Sequence, residues 1–384
     1  MSEHKNIPEL RFPEFDEEWG NRKLVDVASK IGDGIHGTPK YDEEGEYYFI
    51  NGNNLVDGQI FITENTKKVN RKEFQIHKRD LGDRTILLSI NGTIGNLAYY
   101  NGEEVMLGKS AAYINIENGH DLSFTYYTLL TNKVQSYFNS ELTGTTIKNL
   151  SLKTIRSTKI PLPSLSEQQK IASLFTAIDQ KISQLKHKKT LLEQYKKGVM
   201  QKIFSHEIRF RDDSGQEFPK WEKKRLKEVV RIMYGKDQKQ VECESGKYPI
   251  LGTGGEMGRT DNFLCDKSSV LIGRKGTIDK PQFMDTPFWT VDTLFYTDVF
   301  KNTVAKWLFY KFETINWRKY NEASGVPSLS ASTIYSIPIH LPTISEQTKI
   351  SNFLTAIDNK INHSQILIEK TELWKKGLLQ KMFI

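Results

Sequence analysis

Two glycine-containing stretches come close to nucleotide-binding motifs, but neither has the spacing that the chemistry needs. Gly102 to Ser110 reads GEEVMLGKS, which resembles a phosphate-binding loop with five residues instead of four between its glycines. The aligned place in the second half of the chain holds Asp292, which would repel a phosphate group. The glycines between Gly252 and Gly258 miss the dinucleotide-binding spacing by one residue. We therefore expect no nucleotide site in this chain.

Other catalytic signatures are also missing from the sequence. It contains no Asn-Pro-Pro or Asp-Pro-Pro run of an adenine methyltransferase and no Pro-Asp dipeptide to begin the commonest nuclease motif. Its eight histidines show no metal-ligand spacing, and Cys243 and Cys265 give neither a zinc pattern nor a disulfide framework. The chain is expected to be non-catalytic, without a metal site and without a cofactor of its own.

After these exclusions, the remaining candidates for function are polar, glycine-containing loops that carry basic side chains. Lys, Arg, Thr and backbone amides suit phosphate groups, whereas Arg, Lys, Asn and Gln suit the edges of bases. Any one of these loops could be a solvated turn, but their number favours contact with DNA. The candidate DNA-binding residues are His36, Thr38, Lys40, Asn91, Thr93, Lys109, Ser110, Thr145, Thr146 and Lys148 in the first half, and Lys236, Gln238, Lys239, Arg274, Lys275, Thr277 and Ser328 in the second.

A scaffold must hold these loops, and the most regular stretch of the chain is a long amphipathic segment from Ser166 to Ser205. Apolar residues recur there at steps of three and four, which places one narrow apolar stripe along a helix. Ser166 and Gln169 form a capping-box pattern at its start. So narrow a stripe on so long a helix calls for a partner helix.

The partner is a second copy of the same segment. One constant shift aligns SEQQKIASLFTAID, from Ser166, with SEQTKISNFLTAID, from Ser345, without a gap. A repeat with so long a period indicates a duplicated unit of one globular domain followed by one long helix. We expect the two helices to pack as an antiparallel coiled coil, through Ile171, Phe175, Ile178, Ile182, Leu185, Leu192, Ile350, Leu354, Ile357 and Ile361.

The interiors between the repeated segments read as short strands and turns with one helix each. Strands are predicted over 47–51, 85–90, 96–100 and 111–116, and over 248–252, 269–273 and 294–299; helices are predicted over 123–140 and 304–320. Asn-Gly pairs at 51–52, 91–92 and 101–102 are hairpin signals.

The predicted fold class is α+β. Two mixed α/β domains are separated by two long helices packed as an antiparallel coiled coil, with a pseudo-twofold internal repeat. The predicted boundaries are 1–163 for the first globular domain, 164–205 for the first helix, 206–342 for the second domain and 343–384 for the second helix.

Composition favours an acidic polymer as partner. The 384 residues carry a net charge of +7, with a pI of about 9.0. No apolar run approaches the length of a membrane span, and the N-terminus lacks the apolar core of a signal peptide. We therefore expect a cytoplasmic protein with no membrane partner.

The duplicated motifs resemble those of the specificity (S) subunits of type I restriction–modification enzymes. The most specific are the twin helix starts, PLPSLSEQQKIA and HLPTISEQTKIS, and the twin helix ends, YKKGVMQKIF and WKKGLLQKMF. The Gly-Thr-Ile turns and the phrase from Trp289 to Thr293 support the resemblance. The first half departs from that phrase, since it reads Leu-Gly-Lys-Ser from Leu107.

The resemblance implies that each interior is a target recognition domain that reads one half of a split double-stranded DNA sequence. It implies that the helices set the spacer between the halves and dock two modification subunits, which are methyltransferases that bind S-adenosylmethionine. Restriction subunits, with nuclease and ATP-dependent translocase activity, would join the same complex. The chain itself would catalyse nothing.

Two other functions stay open on the sequence alone. A two-domain coiled-coil scaffold could bind protein partners while its basic charge is incidental, and failure to bind random duplex DNA would favour it. A solitary methyltransferase with an unusual site would reveal itself by binding S-adenosylmethionine without a partner.

Overall fold

The structure is a computed structural model that describes residues 6–144 and 148–384. The chain divides into two compact units. Unit 1 consists of residues 1–185 and 367–384, and unit 2 consists of residues 186–366. Both long helices cross the boundary, so each helix contributes one segment to each unit.

Unit 1 mixes short strands with short helices. Its strands are β1 (Gly20–Lys23), β2 (Ala28–Asp33), β3 (Tyr47–Ile50), β4 (Leu55–Val56), β5 (Gln59–Ile60), β6 (Lys68–Val69), β7 (Thr85–Ser89), β8 (Leu97–Tyr99), β9 (Val105–Leu107), β10 (Ala111–Ile116) and β11 (Lys159–Leu162). Its helices are α1 (Arg71–His77), α2 (Leu122–Leu130), α3 (Asn132–Ser140), α4 (Leu152–Ser157) and the first half of α5 (Leu165–Phe204). Two single 3-10 turns cover Leu24–Asp26 and Gly52–Asn54.

Unit 2 repeats this plan with fewer strands. The strands are β12 (Glu222–Arg225), β13 (Val230–Tyr234), β14 (Tyr248–Gly252), β15 (Gly255–Thr260), β16 (Ser269–Gly273), β17 (Gln282–Met284), β18 (Trp289–Thr290), β19 (Leu294–Val299) and β20 (Pro338–Leu341). The helices are α6 (Ala305–Glu313), α7 (Ala331–Ser336) and the first half of α8 (Ile344–Met382), with 3-10 turns at Leu226–Glu228 and Trp317–Tyr320.

Three sheets of unit 1 correspond strand for strand to three sheets of unit 2, and among the described residues only unit 1 adds a further two-stranded sheet, β4 with β5. A four-stranded antiparallel sheet runs β2-β10-β7-β8 in unit 1 and β13-β19-β16-β17 in unit 2. A parallel pair, β3 with β9 or β14 with β18, lies in a second sheet of each unit. A two-stranded ribbon, β1 with β11 or β12 with β20, leads into the long helix. This agreement confirms the predicted mixed fold and its duplication.

The core of unit 1 joins the four-stranded sheet to both long helices. Phe124 of α2, Phe175 of α5 and Phe383, just after α8, are buried together, with ring centroids 5.3 to 5.8 Å apart. The apolar stripe predicted on the first long helix supplies the α5 side of this core. Burial of such aromatic side chains is a main source of stability, at roughly 25 cal/mol per Å² of apolar surface.

Unit 2 has an equivalent core. Trp307 of α6 is fully buried and packs with Met200 and Ile203 of α5 and with Ile350 and Leu354 of α8. Each unit therefore folds around a segment of both long helices, so neither helix is a separate appendage of a finished domain.

Three local predictions were wrong. The helix predicted over 304–320 ends at Glu313, and a separate 3-10 turn covers Trp317–Tyr320. The single helix predicted over 123–140 is broken at Thr131, whose hydroxyl caps α3 by accepting from Val134 N. Only the Asn-Gly pair at 91–92 lies between paired strands, β7 and β8, because the turns at 51–52 and 101–102 lead into other sheets.

The start of each long helix is also shifted by two residues. Ser164 rather than Ser166 caps α5, since its Oγ accepts from Glu167 N at 3.4 Å, and Thr343 caps α8 in the same way through Glu346 N. Each long helix therefore has a glutamate at its third position, Glu167 in α5 and Glu346 in α8, and both glutamates are buried.

Candidate nucleic-acid interface

The loops that carry most of the predicted contact residues of unit 1 meet beside the end of β7. We call this region the loop end of unit 1; it comprises residues 33–38, 51–54, 90–96, 108–110 and 148–150. Backbone bonds join its parts: Ile90 N donates to Ser110 O at 2.9 Å, and Leu150 N donates to Ile90 O at 2.9 Å. Ser110 Oγ accepts from Gly52 N at 2.9 Å, which brings in the loop after β3.

Unit 2 has a loop end with the same pattern of backbone hydrogen bonds, which we call the backbone frame. It comprises residues 234–240, 252–257, 274–277, 290–293 and 327–329. Arg274 N donates to Thr293 O at 2.8 Å, and Leu329 N donates to Arg274 O at 2.9 Å. Lys236 N donates to Thr290 O at 2.8 Å and brings the loop after β13 alongside. The sequence pointed to these loops one by one, and the structure brings them together.

A residue-by-residue correspondence follows from the shared frame. Ile90 matches Arg274, and Ser110 matches Thr293, because each pair makes the same two backbone bonds. The isolated bridge between Asn91 and Asn149 likewise matches the one that ends on Ser328 in unit 2. Equivalent places in the two units therefore hold different side chains on one backbone.

Close backbone packing at each loop end depends on a glycine. A Cβ at Gly34 would lie 2.2 Å from Leu107 O, and a Cβ at Gly235 would lie 2.0 Å from Val291 O. No real Cβ is found at such distances from a backbone atom. Only glycine lets the strand that ends there approach the neighbouring loop.

Side chains at the loop end of unit 1 point largely to solvent. His36, Lys109 and Lys148 are exposed, and His36 Nε2 lies 2.9 Å from Asp33 Oδ2. Thr93 Oγ1 lies 3.1 Å from Ser89 Oγ, which orders the turn after β7. The set offers cations and amide or hydroxyl groups on one surface, the combination that suits nucleic acid.

Some predicted residues of unit 1 lie elsewhere. Lys40 is exposed, but its backbone N donates to Glu73 Oε1 of α1 at 3.3 Å, beyond the loop end, whereas exposed Thr38 is the last loop-end residue on that side. Thr145 and Thr146 fall outside the described residues.

At the loop end of unit 2, contacts within the protein hold one basic side chain, that of Arg274, in a defined position. The Arg274 guanidinium lies 5.7 Å from the ring centroid of Tyr234, and its Nη1 donates to Asp292 O at 3.2 Å. Stacking and a backbone bond hold this side chain in place at the surface. Lys236, Lys239 and Lys275 are exposed beside it, whereas Gln238, Thr277 and Ser328 are half-buried.

A polar cavity of about 500 Å³ opens at the same loop end. It is lined by Gln238, the glycine-rich turn 252–257 and the segment 291–293. Its acidic lining residues are Glu256, which pairs with Arg259 at 2.8 Å, and Asp292. The cavity thus places hydrogen-bond acceptors beside the cations of this loop end.

The residues predicted to form the contact between the two long helices are buried or half-buried within the two units. Ile171, Phe175, Ile178, Ile182 and Leu185 are buried in unit 1; Ile350, Leu354 and Ile357 are buried in unit 2; Leu192 and Ile361 are half-buried. They hold the helices to each other and to the domain cores. Any docking of another subunit needs side chains on other faces of the helices.

Exposed apolar side chains on the long helices offer such faces. Leu191 and Tyr195 of α5 are about half exposed, and Leu373 and Trp374 of α8 are 71% and 54% exposed. Tyr195 and Trp374 occupy equivalent positions of the repeat, so each helix carries an exposed aromatic ring at the same place. Sequence reasoning missed this pair, although the repeat itself could have revealed it.

A buried polar site at the start of each long helix was also missed. Arg11 Nε donates to Glu167 Oε1 at 2.7 Å, and Arg209 Nη2 donates to Glu346 Oε2 at 2.7 Å. The side chains of both glutamates are 0–1% exposed. The signal was the repeated Arg-Phe dipeptide, at residues 11–12 and again at 209–210. These arginines tie the segment before each domain to the helix that follows it.

Two absences concern the described part of the chain. No helix in residues 6–144 and 148–384 is both long enough and apolar enough to cross a membrane. Within the same residues, no group of three His, Cys, Asp or Glu side chains is placed to hold a metal ion.

Comparison with known proteins identifies the family. A family model described as the type I restriction modification DNA specificity domain matches residues 16–194 and 219–370. The type I restriction enzyme MjaVIII specificity subunit of Methanocaldococcus jannaschii is 27% identical over 98% of this chain and 94% of its own length. The MjaIX specificity subunit of the same organism is 26% identical over 63% of this chain and 60% of its own length.

Solved structures share the fold. The S subunit of a type I restriction–modification system from M. genitalium superposes with a TM-score of 0.66 at 19% identity, over 98% of this chain and 99% of that one. A chain from a study of type I restriction–modification complex assembly gives 0.56 at 15% identity, over 95% and 97% of the two chains. With both halves matched by the family model, the chain belongs to the family of type I restriction–modification specificity subunits.

Proposed function

We propose that this chain is the DNA-reading subunit of a type I restriction–modification complex, with one half of a split target read at the loop end of each unit. The observation that carries the proposal is the repeated backbone frame, in which Ile90 and Ser110 of unit 1 match Arg274 and Thr293 of unit 2. One frame with two sets of side chains suits two half-sites of different sequence. Exposed cations around both frames supply affinity for the DNA backbone.

The long helices set the distance between the half-sites and dock the partner subunits. Two modification subunits bring the methyltransferase site with S-adenosylmethionine, and restriction subunits bring ATP-dependent translocation and cleavage. The exposed aromatic rings of Tyr195 and Trp374 support docking of protein partners on the helices, since solvent-facing aromatic side chains are enriched at interfaces. The chain performs no catalysis, and it works in the cytoplasm with the DNA that it reads.

Methylome sequencing tests the proposal directly. A host strain that carries this gene and its modification partner is compared with the same strain lacking only this gene. We expect a two-part, adenine-methylated motif that disappears in the deletion strain. An unchanged methylome, with the modification subunit shown to be active, would reject DNA reading and favour a scaffold that binds proteins through its helices.

A further inference from the structure

We propose that Lys109 and Asp292 occupy one equivalent base-reading position, and that they give the two half-sites opposite hydrogen-bond character. At this position unit 1 selects guanine, whose major-groove edge only accepts hydrogen bonds, and unit 2 selects cytosine or adenine, which offer an amino group. The inference rests on the proposed function and adds the class of base that each unit reads.

The equivalence of the two residues comes from backbone bonds alone. Ser110 and Thr293 accept from matching strand ends, and the next residues, Ala111 and Leu294, begin β10 and β19. Ala111 pairs with the last residue of β7 and Leu294 pairs with the last residue of β16. Lys109 and Asp292 each precede this junction by one residue, so they stand at the same place in the two frames.

The side chains of Lys109 and Asp292 make no contact that stabilises the described part of the fold. Both residues are exposed, and within the described residues neither side chain has an ion-pair or hydrogen-bond partner. Only the backbone oxygen of Asp292 is used, as the acceptor for Arg274 Nη1. The charges are therefore free for a ligand, and the fold does not require either of them.

A reversal of charge at one place is incompatible with contact to phosphate in both units. Every phosphate is negative, so a carboxylate at that position would be repelled by it. Base edges differ in this respect, because they carry both donors and acceptors. A position that holds Lys in one unit and Asp in the other is therefore suited to contact with base edges.

The hydrogen-bonding capacity of the two side chains then indicates which bases they would bind. An ammonium group only donates, and its common specific partners are O6 and N7 of guanine. An ionised carboxylate only accepts, and the amino donors in the major groove are N4 of cytosine and N6 of adenine. Asp292 also lines the polar cavity of unit 2, where an amino group could be received.

The test uses the full chain assembled with its modification subunits and a pool of randomised duplex DNA. Bound duplexes are recovered and sequenced for the wild type and for two variants, Asp292→Ala and Asp292→Lys. We expect Asp292→Ala to lower the enrichment of one base pair, in the half-site of unit 2 only, by about tenfold or more. Asp292→Lys should convert the preference at that base pair to guanine, and Lys109→Ala should relax one base pair of the other half-site.

Matched controls are Asp266→Ala and Asp266→Lys. Asp266 is an exposed aspartate that precedes β16, at the end of that strand opposite to Arg274, so its substitution makes the same change of charge away from the loop end. The controls should leave the recovered motif unchanged.

Three outcomes would overturn the inference. A motif that is identical for wild type and Asp292→Lys removes Asp292 from base reading. A rise in affinity for all duplexes with an unchanged motif means that Asp292 only repels phosphates. A wild-type complex that enriches no sequence at all rejects the proposed function itself, and the inference with it.

Discussion

Asp179 of α5 and Lys375 of α8 lie far apart in sequence, yet their side chains form a 2.6 Å salt bridge in unit 1. The other oxygen of Asp179 accepts from Tyr127 Oη of α2 at 2.8 Å. One carboxylate thus links the first long helix to the second long helix and to a helix of the globular part.

The repeat reproduces this link in unit 2. The shift that aligns the two long helices carries Asp179 to Asp358 and Lys196 to Lys375, and Asp358 bonds to Lys196 at 2.8 Å and to Tyr310 Oη at 2.6 Å. Burial, together with the nearby aspartate, raises the pKa of each tyrosine far above its usual value. Both phenols therefore stay protonated and act as donors at physiological pH.

Removal of this link should weaken unit 1. Because Asp179 is partly exposed, Asp179→Ala should lower the free energy of unfolding by about 1–2 kcal/mol, and Tyr127→Phe should lower it by about 1 kcal/mol. Urea unfolding measures both. Glu193→Ala, which removes only the exposed pair with Lys189, is the control and should change stability by less than about 0.5 kcal/mol. Equal losses in all three variants would contradict the special role of Asp179.

Loss of Arg11 should be more damaging than loss of both members of its pair. Arg11→Met leaves the buried Glu167 carboxylate without its guanidinium partner, which should cost about 3–5 kcal/mol. The double variant Arg11→Met/Glu167→Met removes the buried charge as well and should recover part of that loss. Thermal unfolding of the three proteins checks the order, and a double variant less stable than Arg11→Met would refute the argument.

A methyl group at Gly34 should disrupt the loop end of unit 1. Gly34→Ala places Cβ against Leu107 O, so the strand must shift, at a cost of about 1–3 kcal/mol. Methylation of the target in cells should fall with it. Gly37→Ala, three residues on in the same loop, meets nothing within 4 Å and should leave both stability and methylation unchanged.

Acid should destabilise unit 2 in part through His206. Burial, followed by the charges of His340, Arg209 and Lys311, lowers the pKa of His206, while Glu346 opposes this shift. The unfolded chain then binds the proton more readily, so the stabilisation is complete above about pH 6.5 and is lost as the pH falls below it.

The variant His206→Asn measures this contribution. Asn tolerates the left-handed backbone at this residue, whose φ is 69°, and it does not titrate. Urea unfolding from pH 7.5 to pH 5 should show a shallower loss of stability than in the wild type. The difference should be well below one proton, because His206 is largely exposed. Identical slopes would exclude His206 as a source of the acid sensitivity.

Cations at the loop ends should differ in what their removal does to DNA binding by the assembled complex. Arg274→Ala removes an oriented guanidinium and should weaken specific binding by about 1–3 kcal/mol. Lys148→Ala should weaken binding to any duplex and reduce its salt dependence. Arg225→Ala, an exposed arginine in β12 outside the loop end, is the control. Unaltered binding and protection of target DNA would remove the substituted residue from the contact surface.

Sequence patterns were sufficient where local signals are strong. β7 and β16 each contain three consecutive apolar residues, and the stripe through Phe175 has a clear helical period, so these elements were predicted close to their observed bounds. The two-residue strand β18 is too short for any period to reveal it. The break at Thr131 was missed because a single capping hydroxyl decides it.

The candidate interface was only partly predictable, for a related reason. Lys, Arg, Asn and Gln in glycine-rich loops mark contact residues one at a time. Their assembly depends on long-range backbone bonds such as Leu150 N to Ile90 O, which no local pattern encodes. The buried pair of Arg11 and Glu167 joins distant parts of the sequence, so the repeated Arg-Phe dipeptide could mark the arginine but not its partner.

The backbone frame at each loop end has a consequence for how such a protein can evolve. Main-chain atoms hold the junctions at Ser110 and Thr293, whereas the exposed side chains just before them contribute nothing to the frame. Substitutions at those two places carry almost no folding penalty, so variants can accumulate in a population without loss of the protein. Under the proposed reading of bases by these two residues, a lineage samples new recognition sequences by nucleotide changes in its gene, with the scaffold constant throughout.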